Sequence, residues 1–240
     1  MKQGHIAILF ITFYVSCFLI LFLEQKKYDI ALYEKQRIET ALMNAIEHAG
    51  REYEKVLFET DEKQQQFFES SFFHGLYVFT EMFEQKESIT NIMLHIPLLV
   101  LVEEDGAYLN YIMDKQDKNN ATLSRRWSEK IMFEYSDVCT EAQRKSIIAS
   151  ILEGAASEII SEHNYIASQY GLLYQFTAPD FLGNMEESLN FPMLFVVFQG
   201  WPLNASGDIT YENCMDAAAF LQRVQEEPPM PDGIPYKKIY

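Results

Sequence analysis

The chain has 240 residues, of which 48% are hydrophobic and 14% aromatic, and its formal net charge is −16. This length and apolar content predict about one ordinary folded domain besides any anchor or stalk, and they exclude a mainly disordered chain. The negative charge argues against nucleic acid as a partner, because phosphate backbones are bound by clustered Lys and Arg side chains.

The first predicted element is a membrane-spanning helix. Residues 6–23 contain no charged residue, no Pro and no Gly. At about 1.5 Å per residue these residues cover about 27 Å, close to the hydrocarbon thickness of a bilayer. Leu23 runs directly into Glu24 without a small-residue cleavage site, which favours an uncleaved anchor over residues 1–27 rather than a signal peptide. We therefore expect a single-pass protein of the cell membrane that contacts the bilayer through residues 6–23.

Two kinds of sequence feature predict opposite orientations for this anchor. Lys2 precedes the span, whereas Lys26, Lys27, Lys35 and Arg37 follow it. Counted alone, these charges would place the following domain in the cytoplasm. The acidic domain and the family resemblance described below favour the extracytoplasmic side, which is the expectation we adopt.

Residues 28–60 are predicted to form an amphipathic helical stalk that continues the anchor. Apolar residues recur at steps of three and four and make one stripe on a helix. From this stripe we select four candidate interaction residues, Ile38, Leu42, Ile46 and Tyr53.

Residues 61–227 are predicted to form an α+β soluble domain. Its first helix carries an aromatic face between Phe67 and Phe83, which is expected to pack on the sheet, although such a face could also line a ligand pocket. Two apolar runs, 97–102 and 107–112, flank Asp105-Gly106, which predicts a hairpin with a type I′ turn. A polar loop is expected over 115–124.

The second half of this domain is predicted to contain two helices and two strands. Thr140 precedes a helical pattern that runs to Gln169. Strands are expected over 172–176 and 193–198, the latter ending at Gly200, and a last helix over 211–225. Residues 228–240 are rich in Pro and are expected to form an extended tail. The predicted fold is thus α+β, with an N-terminal transmembrane helix that continues into a long amphipathic helix and a small, mainly antiparallel sheet backed by helices.

No motif predicts catalysis, a metal or a cofactor. The five histidines lie at positions 5, 48, 74, 95 and 163, and no two have the helical spacing of metal ligands. The acids Glu103, Glu104 and Asp105 are read as a solvated hairpin apex rather than a metal site. Cys139 and Cys214 are the only candidate disulfide pair outside the anchor, and either a disulfide or two buried thiols fits the sequence. We therefore predict a protein that is not an enzyme.

Trp201 is a further candidate interaction residue. It stands in the run Gln199-Gly200-Trp201-Pro202, directly after a predicted buried strand. A Trp in such a loop can contact a partner, and it can equally seal the end of a sheet.

The first sixty residues resemble pilin-like subunits of type IV and tight-adherence pilus systems of Gram-positive bacteria. The resemblance rests on a short N-terminus, one span and an amphipathic continuation that includes EKQRIETALMNAIEHA at 34–49. Gly4 is followed by His5 rather than an aromatic residue, and Leu9 stands where a pilin has Glu. With these two departures, the resemblance implies an accessory protein of such a system that is not incorporated into the filament.

Two functions follow as hypotheses. The first is a membrane-anchored assembly or interaction subunit, an accessory component of a pilus or secretion-type machine whose partners are other membrane or pilus-assembly proteins. The alternative is an extracytoplasmic, sensor-like module in which the aromatic helix and the hairpin enclose a small ligand.

Overall fold

Helices and antiparallel strands combine in an α+β architecture, as the sequence predicted. A computed structural model describes the backbone of residues 2–57, 59–81, 89–115, 122–135, 138–185, 188–202, 214–223 and 236–239. The helices are α1 (Lys2–Glu54), α2 (Asp61–Glu81), α3 (Ile89–Leu94), α4 (Glu141–Gln169) and α5 (Phe181–Asn184). The strands are β1 (Leu98–Val102), β2 (Gly106–Lys115), β3 (Thr122–Trp127), β4 (Ile131–Met132), β5 (Met193–Pro202), β6 (Cys214–Arg223) and β7 (Tyr236–Ile239).

The strands form one sheet in the order β3-β2-β1-β5-β6-β7, with β4 paired to β2, so the described part of the chain contributes seven strands. All of these pairings are antiparallel, which confirms the predicted type of sheet. The predicted hairpin is formed by β1 and β2. The central strand pair is β1 with β5, and its residues are almost fully buried.

Both faces of the sheet are covered, which gives three layers. Successive side chains of a strand point to opposite faces. On one face Leu99, Leu101 and Val196 pack against α1 and α2. On the other face Leu98 and Val100 belong to a second core that is completed by α4. This double coverage explains why the β1 sequence is continuously apolar rather than alternating.

The first helix is uninterrupted, as predicted for the anchor and the stalk together. Its 53 residues span about 80 Å at about 1.5 Å per residue. From Ile38 onward one side of α1 is buried in the core that it shares with α2 and the sheet, so this half of the helix packs on the α+β domain. From Phe10 to Leu23 the side chains are exposed around the whole helix, with only Cys17 partly covered.

Among the residues that the structure describes, no helix is long and apolar enough to cross a membrane.

The aromatic helix and the capped helix are both confirmed. In α2, Phe68 and Phe72 lie in the core beneath the sheet, where packing was the expected role of the aromatic face. Helix α4 begins after Thr140, whose side chain accepts a hydrogen bond from the Gln143 backbone while the Gln143 side chain accepts one from the Thr140 backbone. This reciprocal pair is a capping box, and it fixes the start of the helix.

The predicted strand over 172–176 is wrong, because this segment joins no sheet. It lies instead against α4, where the Asn164 side chain forms hydrogen bonds with both the N–H and the carbonyl of Phe176. The Phe176 N–H donates to Asn164 Oδ1 at 2.7 Å, and Asn164 Nδ2 donates to the Phe176 carbonyl at 3.0 Å. A side-chain amide thus satisfies the groups that a neighbouring strand would otherwise have bound.

The predicted helix over 211–225 is also wrong. Cys214–Arg223 forms β6 and pairs with β5 from Met193 to Pro202, while residues 211–213 and 224–225 lie outside the described residues. The predicted tail ends differently too, because Tyr236–Ile239 forms β7 on the outer edge of β6; residues 228–235 lie outside the described residues.

Three boundaries differ from the sequence prediction. The type I′ turn is wrong: Gly106 is the first residue of β2 and does not have a positive φ. Gly106 is required for another reason, since a Cβ there would lie 2.7 Å from the Ile131 carbonyl oxygen. Within the predicted loop over 115–124, Thr122 begins the unpredicted strand β3, and residues 116–121 lie outside the described residues. Strand β5 continues through Gly200, at a β-bulge between Phe198 and Trp201.

Candidate functional site

The five candidate interaction residues all lie in one intramolecular core. Ile38, Leu42, Ile46, Tyr53 and Trp201 are each no more than 9% exposed and belong to the core between α1, α2 and the sheet. The helical stripe was identified correctly, but in this fold it contacts the protein's own domain. A partner could reach these side chains only if α1 separated from the sheet.

Trp201 seals the end of the sheet, which was the second reading of its sequence context. Its ring makes an edge contact with His95 at 5.0 Å between ring centres and lies 5.7 Å from Phe198. The adjacent Gly200 has φ +72°, and a Cβ there would lie 2.6 Å from the Tyr174 ring. Only glycine therefore allows the bulge that turns Trp201 into the core.

A cleft on the outer side of α1 and α2 brings two histidines together. This α1–α2 cleft has a volume of about 370 Å³ and is lined by Asn44, Glu47, His48, Arg51, His74, Gly75 and Val78. The ring centres of His48 and His74 are 6.2 Å apart, with the ring planes inclined at 47°. Both rings are at least partly accessible to solvent.

Gly75 explains why the two helices approach so closely at this cleft. A Cβ on Gly75 would lie 3.2 Å from Ala45 Cα and 3.4 Å from the His48 ring. The small Ala45 on α1 faces this glycine, so the two backbones can pack without an intervening side chain. His74 precedes the glycine and His48 lies one helical turn beyond the alanine, which places both rings at the same crossing.

Sequence reasoning missed this pair because its members lie on different helices. A search for two histidines at helical spacing cannot detect residues that meet through tertiary packing. The one usable signal was a glycine within a helical pattern beside a histidine, since an interior helical glycine usually has a packing reason.

A buried polar network lies between α2 and the strands β2 and β3. Arg125 Nε donates to Asn110 Oδ1 at 2.5 Å, and Arg125 Nη1 donates to the Ile96 carbonyl at 2.7 Å. Asn110 Nδ2 and Trp127 Nε1 both donate to Glu69 Oε2, at 2.8 and 3.0 Å. Burial lowers the pKa of Arg125 to about 10, against the opposing effect of the Glu69 charge. The bonds from Asn110 and Trp127 to Glu69 tie α2 to the sheet.

Two of the three acids at the β1–β2 connection form ion pairs within the protein. Lys130 Nζ lies 2.6 Å from Glu103 Oε2 and 2.7 Å from Asp105 Oδ1. The Tyr53 hydroxyl lies 3.1 Å from Glu103 Oε1, and burial, assisted by the Glu103 charge, raises the pKa of Tyr53. Burial lowers the pKa of Lys130, but hydrogen bonds to Asp105 and Glu103 outweigh it and the net pKa is raised. Glu103 thus fastens the connection to α1 and to Lys130, while Glu104 and Asp105 are exposed, as predicted for a hairpin apex.

Two other histidines are buried near the start of β1. His95 Nδ1 donates to the Gln199 carbonyl at 3.0 Å, and His163 Nε2 donates to the Leu94 carbonyl at 2.8 Å. Burial lowers the pKa of each ring to about 4, while the backbone hydrogen bond acts in the opposite direction. At neutral pH both rings are uncharged, and they hold the segment that leads into β1.

A second cleft, of about 610 Å³, lies near the N-terminus of α4. The Arg144 guanidinium lies over the Tyr135 ring at 5.5 Å, and burial raises the pKa of Tyr135 against the opposing effect of the Arg144 charge. Cys139 in this cleft is a free thiol, and the side chain of Cys214, its candidate disulfide partner, lies outside the described residues. Glu104 and Glu141 line the same cleft, so the cleft has no uniform charge.

Across the part of the chain that the structure describes, no three His, Cys, Asp or Glu side chains converge in an arrangement suited to a metal ion. Most of the buried polar atoms above are engaged within the protein, whereas His163 Nδ1 and Arg144 Nε have no hydrogen-bond partner among the described residues. Accessible imidazoles are found in the α1–α2 cleft, which is therefore the candidate functional site.

No protein-family model matches the chain, and comparison with curated proteins and with solved structures found no similar protein.

Proposed function

We propose that this protein is a membrane-anchored, non-enzymatic interaction subunit whose first 27 residues hold an acidic α+β domain at the cell membrane. The observation that carries this proposal is the exposure of apolar side chains around the whole of α1 from Phe10 to Leu23. A helix that is apolar on every side is stable when lipid or protein surrounds it. Water alone would leave this surface uncompensated.

The sequence favours lipid as the environment of this part of α1. Residues 6–23 carry no charge, and their helical length of about 27 Å fits a bilayer core. The Thr12 hydroxyl donates to the Ile8 carbonyl at 2.9 Å, so this polar group has an acceptor within the helix and needs no water. Charged residues begin at Glu24, which forms an ion pair with Lys27 at 3.0 Å.

The segment of α1 between the proposed span and the domain is a candidate surface for partner proteins. Tyr28, Ile30, Leu32 and Tyr33 are exposed there, before the helix enters the core at Ile38. Interfacial tyrosines are common where a helix leaves a bilayer. Because this segment belongs to the same rigid helix as the anchor, a neighbouring membrane protein could pack along it without disturbing the domain.

We further propose that the partners are membrane proteins of a pilus or secretion-type machine and that the domain faces the extracytoplasmic side. The support is the architectural resemblance of residues 1–60 to pilin-like subunits. Protease added to intact cells is expected to digest the domain, and complete protection would contradict the proposed orientation.

The anchor is tested by placing two charges within it. Val15→Arg together with Leu19→Arg puts two Arg side chains one turn apart near the middle of the span, at about 2.5–3.5 kcal/mol each. The wild-type chain should stay in the membrane pellet after carbonate extraction, and the variant should move to the supernatant. Ser157→Arg with Ser161→Arg is the matched control, because it adds the same charges at the same spacing on the exposed face of α4.

Partner binding is tested separately in mild detergent. Tyr28→Ser with Leu32→Ser should reduce the size of the complex that the protein forms in native membranes. Phe67→Ser, which changes an exposed aromatic residue on α2, should leave that complex intact. Recovery of the wild-type chain only as a free monomer would contradict the interaction role while leaving the anchor unaffected.

A second candidate function is the binding of a small ligand by an extracytoplasmic module. Within the aromatic face of α2, Phe68 and Phe72 are packed in the core and are not open to a ligand. The α1–α2 cleft is the observation that favours this function instead. A thermal-shift screen of the detergent-solubilised chain tests it, since a ligand that binds only the folded state raises the melting temperature.

A further inference from the structure

The two imidazoles of the α1–α2 cleft are positioned to act together. His48 and His74 come from different helices, and their ring centres are 6.2 Å apart. Within the described residues neither ring has a protein hydrogen-bond partner, in contrast to the engaged rings of His95 and His163. Their nitrogens are therefore available to a ligand from solvent.

The separation of the rings is close to that of two imidazoles on one metal ion. A metal–nitrogen bond is about 2.1 Å and the centre of an imidazole lies about 1.1 Å from its nitrogens, so two imidazoles at the tetrahedral angle on one ion have centres about 5.2 Å apart, and about 6.4 Å is reached only when the two bonds are collinear. The observed 6.2 Å is about 1 Å longer than the tetrahedral separation. Binding of one ion by both rings therefore requires rotation about the side-chain bonds that brings the ring centres about 1 Å closer.

The chemistry of the cleft defines the class of ion. Imidazole nitrogen suits zinc, copper and nickel, whereas calcium and magnesium require oxygen ligands. Glu47 lines the cleft and contributes a negative charge, while Arg51 contributes a positive one. The volume of about 370 Å³ also leaves room for water molecules to complete the coordination.

We propose that the α1–α2 cleft binds one divalent transition-metal ion of the zinc, copper or nickel class through His48 and His74. The ion would keep water in its remaining positions, because two protein ligands leave an open coordination sphere. It would cross-link α1 to α2 beside the contact between Ala45 and Gly75. Metal binding would therefore stabilise the attachment of α1 to the domain, a property independent of the membrane anchor.

The test uses the full-length chain without an affinity tag, purified in mild detergent, with zinc chloride as the titrant. Calorimetry should show one ion bound per chain. His48→Asn and His74→Asn should each weaken binding by at least about tenfold, because even changes around a metal ligand typically cost about 10–100-fold in affinity. Binding should also weaken when the pH is lowered, since the ion competes with protons for imidazole nitrogen.

Cu²⁺ provides a direct view of the ligands. The electron paramagnetic resonance spectrum of the copper complex should show coupling to two imidazole nitrogens in the wild type and to one in each single variant. Both histidines lie at the surface of the cleft, so the metal-free variants should melt at the temperature of the metal-free wild type. An equal melting temperature shows that a loss of binding is not a loss of folding.

Arg51→Gln is the matched control, because it changes a charged residue of the same cleft without removing an imidazole. A cation site should retain or strengthen zinc binding when this positive charge is removed. If inorganic phosphate binds, zinc does not, and Arg51→Gln abolishes the phosphate binding, the cleft is an anion site and the proposal is wrong. Unchanged zinc affinity in either histidine variant would equally overturn it.

Discussion

Acid is expected to destabilise this protein through His95 and His163 before most of its carboxylates are protonated. Burial lowers the pKa of each ring to about 4 in the folded state, against about 6.5 in an unfolded chain. Between these values the unfolded chain binds more protons than the folded one, so acidification favours unfolding. The stabilising effect of the neutral rings is fully present above about pH 6.5 and is lost as the pH falls towards 4.

The size of this effect follows from the pKa difference. From pH 7.5 to pH 5, each ring should lower the free energy of unfolding by about 2 kcal/mol, which is about 1.4 kcal/mol for each pH unit below 6.5. Together the two rings should cost about 4 kcal/mol, a large part of the 5–15 kcal/mol that is typical of folded proteins. Their backbone partners, the Gln199 and Leu94 carbonyls, accept hydrogen bonds but carry no charge that could compensate a protonated ring.

Urea unfolding in mild detergent at several pH values measures this loss. Tryptophan fluorescence is a suitable signal because both tryptophans, Trp127 and Trp201, pack against the main core. His163→Gln should remove about half of the change between pH 7.5 and pH 5, since a glutamine does not titrate. Phe67→Ser, which changes an exposed aromatic residue and removes no titratable group, is the control and should retain the wild-type change. A wild-type stability that is flat over this range, or a His163→Gln variant with the full change, would refute the reasoning.

Three further substitutions test the packing of the domain, and the third of them also tests the candidate site. Arg125→Met should lower the free energy of unfolding by about 3 kcal/mol or more, because it leaves Asn110 Oδ1 and the Ile96 carbonyl without their charged donor; urea unfolding would contradict this if the loss were under about 1 kcal/mol. Gly200→Ala should cost at least about 1–3 kcal/mol, since its φ of +72° is strained for alanine and the Cβ would collide with the Tyr174 ring, and a melting temperature equal to the wild type would exclude this. Gly75→Leu should push α2 away from α1 at a cost of about 1–3 kcal/mol and abolish zinc binding in the cleft, so unchanged calorimetry would count against the proposed geometry.

Local signals in the sequence correctly predicted those elements whose ends are set by residues close to them along the chain. Thr140 and Gln143 lie three residues apart and form a capping box, so the start of α4 depends on neighbours along the chain. The apolar run of β1 required burial on both sides, and its pairing with β2 needed only a short connection. The α1 stripe from Ile38 to Tyr53 also predicted which side would be buried, although its partner turned out to be the same chain.

The errors lie where long-range pairing overrides local preference. The residues that form β6 include Ala217, Ala218 and Ala219, and alanine is the strongest helix former. They form a strand because β5, with both faces buried, has a second edge whose backbone groups need partners. The segment that ends at Phe176 shows the converse case, since Asn164 satisfies its backbone and it joins no sheet.

By itself, the sequence determined the α+β class, the continuous first helix and the apolar, uncharged character of residues 6–23. These properties depend on residue types and on spacings of two to four positions, which a linear sequence records directly. Only the tertiary structure decided that the α1 stripe is internal, that Cys214–Arg223 is a strand, and that His48 meets His74. Each of these depends on which distant segments pack together, and a contact between helices that requires Gly75 against Ala45 is encoded in no single stretch of the chain.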